Sequence, residues 1–191
     1  ESVNQFGGID ILVANAGFAS VALFEKTSTK LWDKNMDILS KGCFLISREV
    51  YQKMIEQNNG GSIIFVSSKN SLSASKGASA YSVAKSSLLH LSRLIALEGS
   101  AYKIRSNVVN PDAVIQGSKI WKGDWKKQRA ISNKISINNV EEFYKNRSLL
   151  KESILPEDIA EGIYFFASSK SKKSTGNIIN VDGGNITSFT R

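Results

Sequence analysis

Three residues of this sequence have the side-chain types and the spacing needed to move a proton at an alcohol or carbonyl group. Tyr81 and Lys85 lie four residues apart within a predicted helix over residues 78–101, and Ser68 ends an apolar run thirteen residues before Tyr81. Residues four apart lie on the same face of a helix, so the ammonium is predicted to lie beside the phenol. Tyr81 is therefore a candidate general acid or base, and Ser68 a candidate for holding the reacting oxygen.

The neighbouring ammonium is predicted to change the acidity of the phenol. A free phenol has a pKa near 10, and lowering that pKa by about three units needs about 4 kcal/mol of preferential stabilisation of the anion. One unit charge at roughly 4 Å, with an effective dielectric constant of about 20, contributes about 4 kcal/mol. We therefore expect Lys85 to lower the pKa of Tyr81.

Strands and helices that alternate along the chain must position these residues. The expected strands cover residues 9–15, 62–67, 104–110 and 178–181, and the expected helices cover residues 29–57, 78–101 and 157–167. This alternation predicts right-handed crossovers and a parallel sheet. Ligands of such sheets bind beyond the carboxyl ends of the strands, where Asn15, Ser68 and Pro111 are expected.

The serine and the Tyr-x-x-x-Lys pair, together with Asn15-Ala16-Gly17 and the Asp-Gly-Gly of residues 182–184, resemble the short-chain dehydrogenase/reductase family over nearly the whole chain. The resemblance implies hydride transfer to or from NAD, with NADP not excluded. It implies that Ser68, Tyr81 and Lys85 are catalytic. The cofactor-binding residues that it implies are Asn15, Ala16, Gly17, Tyr81, Lys85, Pro111, Asp112 and Val114.

The same resemblance implies an α/β fold class and a domain organisation. The four strands correspond to strands 4-5-6-7 of a Rossmann-like doubly wound parallel sheet, and the N-terminal βαβαβ portion of that sheet is expected to be missing. Residues 1–191 are then the C-terminal part of a single domain, with residues 117–153 as a substrate-lid insertion. Trp121 and Trp125 of this lid either face the substrate or pack onto the core or a partner subunit.

Two residues depart from the family pattern. Leu39 stands where the family carries an Asn that links the lysine to bulk solvent through an ordered water, so the resupply of protons is left unexplained. Asp112 replaces the glycine of a Pro-Gly turn next to the nicotinamide. Its carboxylate either contacts the substrate or the carboxamide, or it caps the next helix.

The segments Ile-Leu-Ser-Lys-Gly and Asn-Val-Val-Asn-Pro-Asp-Ala-Val, with the Trp-containing segment, are similar to the C-terminal dehydrogenase domain of the bifunctional rhamnulose-1-phosphate aldolase/alcohol dehydrogenases. This likeness implies a role in rhamnose catabolism and a lactaldehyde-type alcohol or aldehyde as the substrate. The family also implies a homo-oligomer formed through the helices bearing Phe44 and Tyr81. The alternative is a catalytically silent scaffold or inactive fragment that keeps the fold for dimerisation.

Composition argues against several other classes of function. The net charge is +8, and residues 117–153 carry nine Lys or Arg against four Asp or Glu. No nucleic-acid-binding motif accompanies them, so a solvated lid surface is the preferred interpretation. The single Cys43 forms no internal disulfide and favours a reducing cytoplasm. No metal-ligand set, signal peptide or membrane-spanning apolar run is present in the sequence.

Overall fold

The apolar runs of the sequence form one parallel sheet. In a computed structural model, which describes residues 1–189, the strands are β1 (Ile11–Ala14), β2 (Gly61–Val66), β3 (Ile104–Pro111) and β4 (Ile178–Val181). They pair in chain order, and all three pairings are parallel. Parallel neighbours need a crossover connection between them, and the helices of the chain provide these connections.

One helix precedes β1, and the other helices lie between successive strands. The helices are α1 (Ser2–Phe6), α2 (Thr29–Asn35), α3 (Gly42–Gln57), α4 (Ser79–Gly99), α5 (Asp124–Ser132), α6 (Val140–Arg147) and α7 (Pro156–Ala167). Ser28 caps α2 by accepting the N–H of Leu31 at 3.2 Å. Pro156 begins α7, where the fixed φ of proline suits the first turn and its missing N–H needs no partner.

The long helix predicted over residues 29–57 is interrupted. A π-helical segment, Met36–Lys41, separates α2 from α3. A π-turn inserts an extra residue, which rotates the helix faces on either side of it, and such turns are frequent at functional sites. Here Leu39 of the segment is fully buried and packs against residues of α4. The interruption therefore sets which side chain faces the first turns of α4.

The sheet is covered on both faces, because β2 buries every second side chain on each side. Ile63 and Phe65 belong to the core cluster built with α3 and α4. Ile64 and Val66 belong to the cluster built with α7. Successive strand residues point to opposite faces, so both clusters come from one apolar run. Fully burying each such side chain contributes about 1.5–3 kcal/mol.

The expected fold class needs a correction. Describing this sheet as one that lacks its N-terminal βαβαβ portion is wrong: the structure is a Rossmann-type α/β fold whose four-stranded parallel sheet starts at β1. The expectation came from comparing the number of strands in this chain with the number in the whole family fold. In the structure, β1 pairs with β2 along its whole length, from Ile11 opposite Ser62 to Ala14 opposite Phe65.

Residues between β3 and α7 form a small unit with its own core. Trp121, Ala130 and Val140 make a buried apolar cluster there, which joins α5 to α6. That residues 117–153 act as a substrate lid stays a prediction. Within residues 1–189, every helix is too short or too polar to cross a membrane.

Candidate active site

A cavity of about 590 Å³ opens where β1, β2 and β3 end. Small-molecule sites have volumes of this order, and ligands of parallel α/β sheets bind at this edge. All of the site residues expected from the sequence line the cavity, namely Asn15, Ala16, Gly17, Ser68, Tyr81, Lys85, Pro111, Asp112 and Val114. The structure therefore brings the predicted set together, while the role of each residue stays a prediction.

Ser68 is held by the loop that leaves β2. Its Oγ accepts the N–H of Asn70 at 3.2 Å, which caps the short 3-10 turn Lys69–Ser71. The preceding Ser67 donates its hydroxyl to the carbonyl of Lys85 at 2.9 Å, so the loop is tied to α4. The O–H of Ser68 can still donate a hydrogen bond, because its acceptor capacity is what the cap uses.

Tyr81 is buried, and its phenol is less acidic than usual. The side chain is 8% exposed and packs against the Trp125 ring, with the ring centroids 5.7 Å apart. Burial raises the pKa of Tyr81, and a side-chain hydrogen bond with Ser68 opposes this rise. The expected net lowering of the pKa by Lys85 is therefore wrong. Loss of hydration disfavours the phenolate more than its neighbours favour it.

Lys85 places its ammonium on the sheet. Its Nζ donates to the carbonyl of Val66 at 2.8 Å, and the residue is 5% exposed. Burial lowers the pKa of Lys85 to about 8, and the charge of the Cys43 thiolate would act in the opposite direction. An ammonium bound to a strand carbonyl gives less help to a phenolate than one directed at the phenol. Lys85 is therefore poised to gain or lose a proton near neutral pH.

Leu39, the first departure from the family pattern, lies in an apolar environment. Leu39 packs against Tyr81 and Ala84 in an apolar cluster, so no polar group stands at the family's Asn position. A Cβ added to Gly17 would lie 3.3 Å from Leu39 Cδ2 and 3.7 Å from Lys85 Nζ. Glycine therefore leaves room directly above the ammonium.

Asp112 forms an ion pair and does not cap a helix. Arg147 donates to its carboxylate at 2.8 Å, and Asn185 donates to the same group at 2.9 Å. The helix-cap alternative is wrong, because α5 begins after Gly123 without a side-chain cap. Asp112 also lines the cavity, so contact with a substrate or with the carboxamide stays a prediction.

Trp121 and Trp125 were expected either to face the substrate or to pack onto the core or a partner subunit, and the structure places the two side chains differently. Trp121 is buried in the core of its own segment and meets Tyr144 edge-on, with ring centroids 5.1 Å apart. Trp125 lies against Tyr81, and both tryptophans contribute to the cavity wall. Trp121 therefore mainly supports the segment, whereas Trp125 forms the wall next to the phenol.

Three basic residues line the cavity that were not among the site residues expected from the sequence. The basic residues of 117–153 were expected to lie on a solvated surface. Lys69, Arg129 and Arg147 all line the cavity. A signal was available: Trp125 and Arg129 are four apart on one helix, and the guanidinium lies 4.8 Å from the indole centroid. Such spacing marks an arginine held by an aromatic face.

Residues 1–189 contain no group of three or more His, Cys, Asp or Glu side chains arranged to hold a metal ion.

A parallel α/β sheet that carries a serine, a tyrosine and a lysine around one cavity at its carboxyl edge defines a Rossmann-like oxidoreductase site. Comparison with known proteins agrees with this class. The profile of the family described as enoyl-(acyl carrier protein) reductase matches residues 1–185. The chain belongs to the short-chain dehydrogenase/reductase family, whose members are NAD(P)-dependent oxidoreductases.

Similar proteins differ in how much of their length the chain covers. It is 52% identical to the uncharacterised oxidoreductase YuxG of Bacillus subtilis, over 97% of the chain and 27% of that protein. It is 35% identical to an uncharacterised oxidoreductase of Thermotoga maritima, over 96% of the chain and 70% of that protein. The chain thus spans about a quarter of the length of YuxG.

A solved structure supports the correction of the fold class. Sorbitol-6-phosphate 2-dehydrogenase SrlD from Erwinia amylovora superposes with a TM-score of 0.91 at 31% identity, over 96% of this chain and 72% of that one. The strands and helices of the chain therefore match a family structure throughout.

The cavity fits the nicotinamide end of the family's cofactor. Space left by Gly17 lies over the Lys85 ammonium, which can bind ribose hydroxyls. Pro111 and Val114 provide an apolar wall on the side of β3. Asn15 and Ala16, which follow β1, would support the adenosine side. When bound, the cofactor supplies or accepts the hydride.

The cost of burying Lys85 gives a first prediction. Lys85→Met is expected to raise the free energy of unfolding at pH 7 by about 1–2 kcal/mol. The shift of the lysine pKa from 10.5 to about 8 corresponds to a penalty of about 3 kcal/mol, and losing the bond to Val66 removes about 1 kcal/mol of that gain. The gain should fade as the pH rises from 8 through 10.5, where lysine in the unfolded chain also loses its proton.

Urea denaturation of both proteins at pH 7 and pH 10 measures this difference, with the exposed Lys173→Met as the control. A Lys85→Met protein no more stable than the control at pH 7 would show that the buried ammonium is fully compensated.

The apolar cluster around Leu39 gives a second prediction. Leu39→Asn is expected to lower the free energy of unfolding by about 1–3 kcal/mol, because it buries an amide among Tyr81, Ala84 and Met36. Leu39→Met keeps the volume and should cost less than about 1.5 kcal/mol. Thermal and urea unfolding of the two variants decide this; equal stabilities would mean that the cluster accommodates a polar group.

Proposed function

We propose that the protein transfers hydride between NAD(P) and a small alcohol or aldehyde, with Tyr81 as its acid or base. The observation that carries this proposal is the convergence of Ser68, Tyr81 and Lys85 on one cavity at the carboxyl edge of the sheet. The raised pKa of Tyr81 keeps the phenol protonated at neutral pH. A protonated phenol suits the reduction of a carbonyl, in which it acts as the general acid.

The residues of the chain then have distinct tasks. Ser68 donates a hydrogen bond to the carbonyl oxygen and holds it beside Tyr81. The phenol gives its proton to that oxygen as negative charge develops on it. Lys85 binds the cofactor ribose and, with a pKa of about 8, can return a proton to the phenolate. In the oxidation direction the same groups act in reverse, and the phenol must first lose its proton.

We infer a lactaldehyde-type substrate and a place in a bifunctional rhamnulose-1-phosphate aldolase/alcohol dehydrogenase. Sequence motifs around Leu39 and Asp112 support this inference. The relative YuxG supports it too, since the chain spans only 27% of that protein and the remaining length would accommodate an aldolase. The enzyme would then oxidise or reduce lactaldehyde, the aldehyde released by the aldolase.

A phosphorylated polyol is a second candidate substrate. The name of the relative SrlD specifies sorbitol 6-phosphate, and the basic residues Lys69 and Arg129 in the cavity favour an anionic compound. Neutral lactaldehyde would leave those charges without a partner. Turnover of lactaldehyde compared with that of sorbitol 6-phosphate separates the two candidates.

Pairing of subunits through α3 and α4 is part of the proposal. Phe44 and Ile46 on α3 and Val83 on α4 are exposed apolar side chains, as a face covered by a second subunit would require. The setting that we propose is the cytoplasm, where the buried thiol of Cys43 would stay reduced.

Replacing Tyr81 gives a third prediction. Tyr81→Phe keeps the packing against Trp125 but removes the proton, so kcat should fall about 10²–10⁴-fold while the affinity for NAD(P)H changes little. The absorbance of the reduced nicotinamide measures turnover, and quenching of tryptophan fluorescence measures cofactor binding.

The control is Tyr102→Phe, at an exposed tyrosine beyond the end of α4. Undiminished turnover by Tyr81→Phe would contradict the role of the phenol. A wild-type protein that binds no cofactor and turns over neither candidate substrate would instead favour the silent scaffold.

A further inference from the structure

Three cations of the cavity face a single carboxylate. Lys69 follows Ser68 at the end of β2, Arg129 lies on α5, and Arg147 ends α6; we call these three residues the basic cluster. The carboxylate of Asp112 lines the same cavity. The cluster therefore leaves a formal charge of +2 in the cavity, before the ammonium of Lys85 is counted.

Only one member of the basic cluster is neutralised. Arg147 forms an ion pair with Asp112. Lys69 is 5% exposed and its Nζ donates to the neutral hydroxyl of Ser75 at 3.1 Å. Arg129 is 4% exposed, and within residues 1–189 neither it nor Lys69 forms an ion pair. Buried charges without a counter-charge are costly, so the fold tolerates a stress here that a ligand would relieve.

The neutral contacts of Arg129 explain its position but not its charge. Its Nη2 donates to the carbonyl of Lys76 at 2.7 Å, and its guanidinium stacks over Trp125. These contacts tie α5 to the loop before α4. The Nε of Arg129 is buried and has no hydrogen-bond partner within residues 1–189. A buried donor without a partner is costly, which adds to the unrelieved polarity of this guanidinium.

Electrostatics within the cluster point the same way. Burial lowers the pKa of Lys69, the positive charges of Arg147 and Arg129 lower it further, and the carboxylates of Asp112 and Asp182 partly oppose this shift. Burial also lowers the pKa of Arg129. Like charges that disfavour one another are stabilised together by an anion placed between them.

The basic cluster lies next to the groups that handle the proton. Lys69 is the neighbour of Ser68 in sequence, and Arg129 stacks on the same Trp125 that packs against Tyr81. All of these groups line one cavity, so a single small molecule bound there could meet both Tyr81 and the cations.

We propose that Lys69 and Arg129, supported by Arg147, bind the anionic group of the substrate, and that the substrate is a small alcohol or carbonyl compound bearing a phosphate ester or a carboxylate. This inference rests on the proposed oxidoreductase function, and between its two candidate substrates it favours an anionic compound of the phosphorylated-polyol kind over neutral lactaldehyde. Charge-assisted hydrogen bonds to such a group would orient the substrate and reject neutral analogues.

Paired substrates that differ only in the anion test this. Glyceraldehyde 3-phosphate is compared with glyceraldehyde, and 4-oxobutanoate with butanal, so that the two pairs distinguish phosphate from carboxylate. We expect the KM of at least one anionic compound to lie about 10–100-fold below that of its neutral partner. In Lys69→Met and Arg129→Met that preference should be lost, with the KM of the neutral compound changed less than about threefold.

Lys122→Met removes an exposed cation of the same segment and serves as the matched control, which should keep the preference. Equal KM values within both pairs for the wild-type protein would overturn the inference. So would variants that weaken the neutral and anionic compounds equally.

A binding measurement separates this inference from the proposed function. Calorimetric titration with glycerol 3-phosphate, a phosphate ester, and with 4-hydroxybutanoate, a carboxylate, needs no turnover. We expect binding by the wild-type protein that Lys69→Met weakens about 10-fold or more. If no aldehyde is turned over but either anion binds in this way, the oxidoreductase proposal fails and the anion site stands. If neither anion binds, the anion site fails whatever the turnover.

Discussion

The bond from the Lys85 ammonium to the carbonyl of Val66 is the interaction on which the site depends. It joins the first turns of α4 to the end of β2 at 2.8 Å, inside a region from which water is excluded. Because Tyr81 lies one turn before Lys85 on the same helix, this bond also fixes the phenol over the strand ends. Burying the ammonium costs stability, but it holds the candidate catalytic groups in place without a ligand to order them.

The cavity also carries a net positive charge. Burial shifts the pKa values of Tyr81, Lys85 and Lys69 toward the neutral forms of these side chains, whereas the guanidinium groups of Arg129 and Arg147 keep positive charge in the cavity. Asp112 moderates that charge through Arg147 and does not cancel it. Trp125 contacts both Tyr81 and Arg129, so it links the phenol to the basic cluster within the cavity.

Much of the fold and the predicted site set could be read from the sequence, because buried parallel strands and helix spacing leave strong periodic signals. The four strands and α4 lie within a few residues of their expected bounds. The π-helical turn around Leu39 could not be read, since it alters no periodicity strongly. The pKa of Tyr81 also escaped prediction, because sequence spacing reports neighbours but not desolvation. Arg129 lies in a run of charges that does not by itself reveal which side chain turns inward, and only its spacing of four from Trp125 indicates its contact with the indole.

An ultraviolet difference titration of the tyrosines, comparing the wild-type protein with Tyr81→Phe in the absence of cofactor, measures the acidity of the phenol most directly. We expect the phenol of Tyr81 to ionise only above its ordinary pKa of 10.0, because burial disfavours the phenolate. An ionisation in the wild-type protein near neutral pH that disappears in Tyr81→Phe would contradict it. That result would mean that the ammonium of Lys85 outweighs burial and that the free enzyme already holds a base.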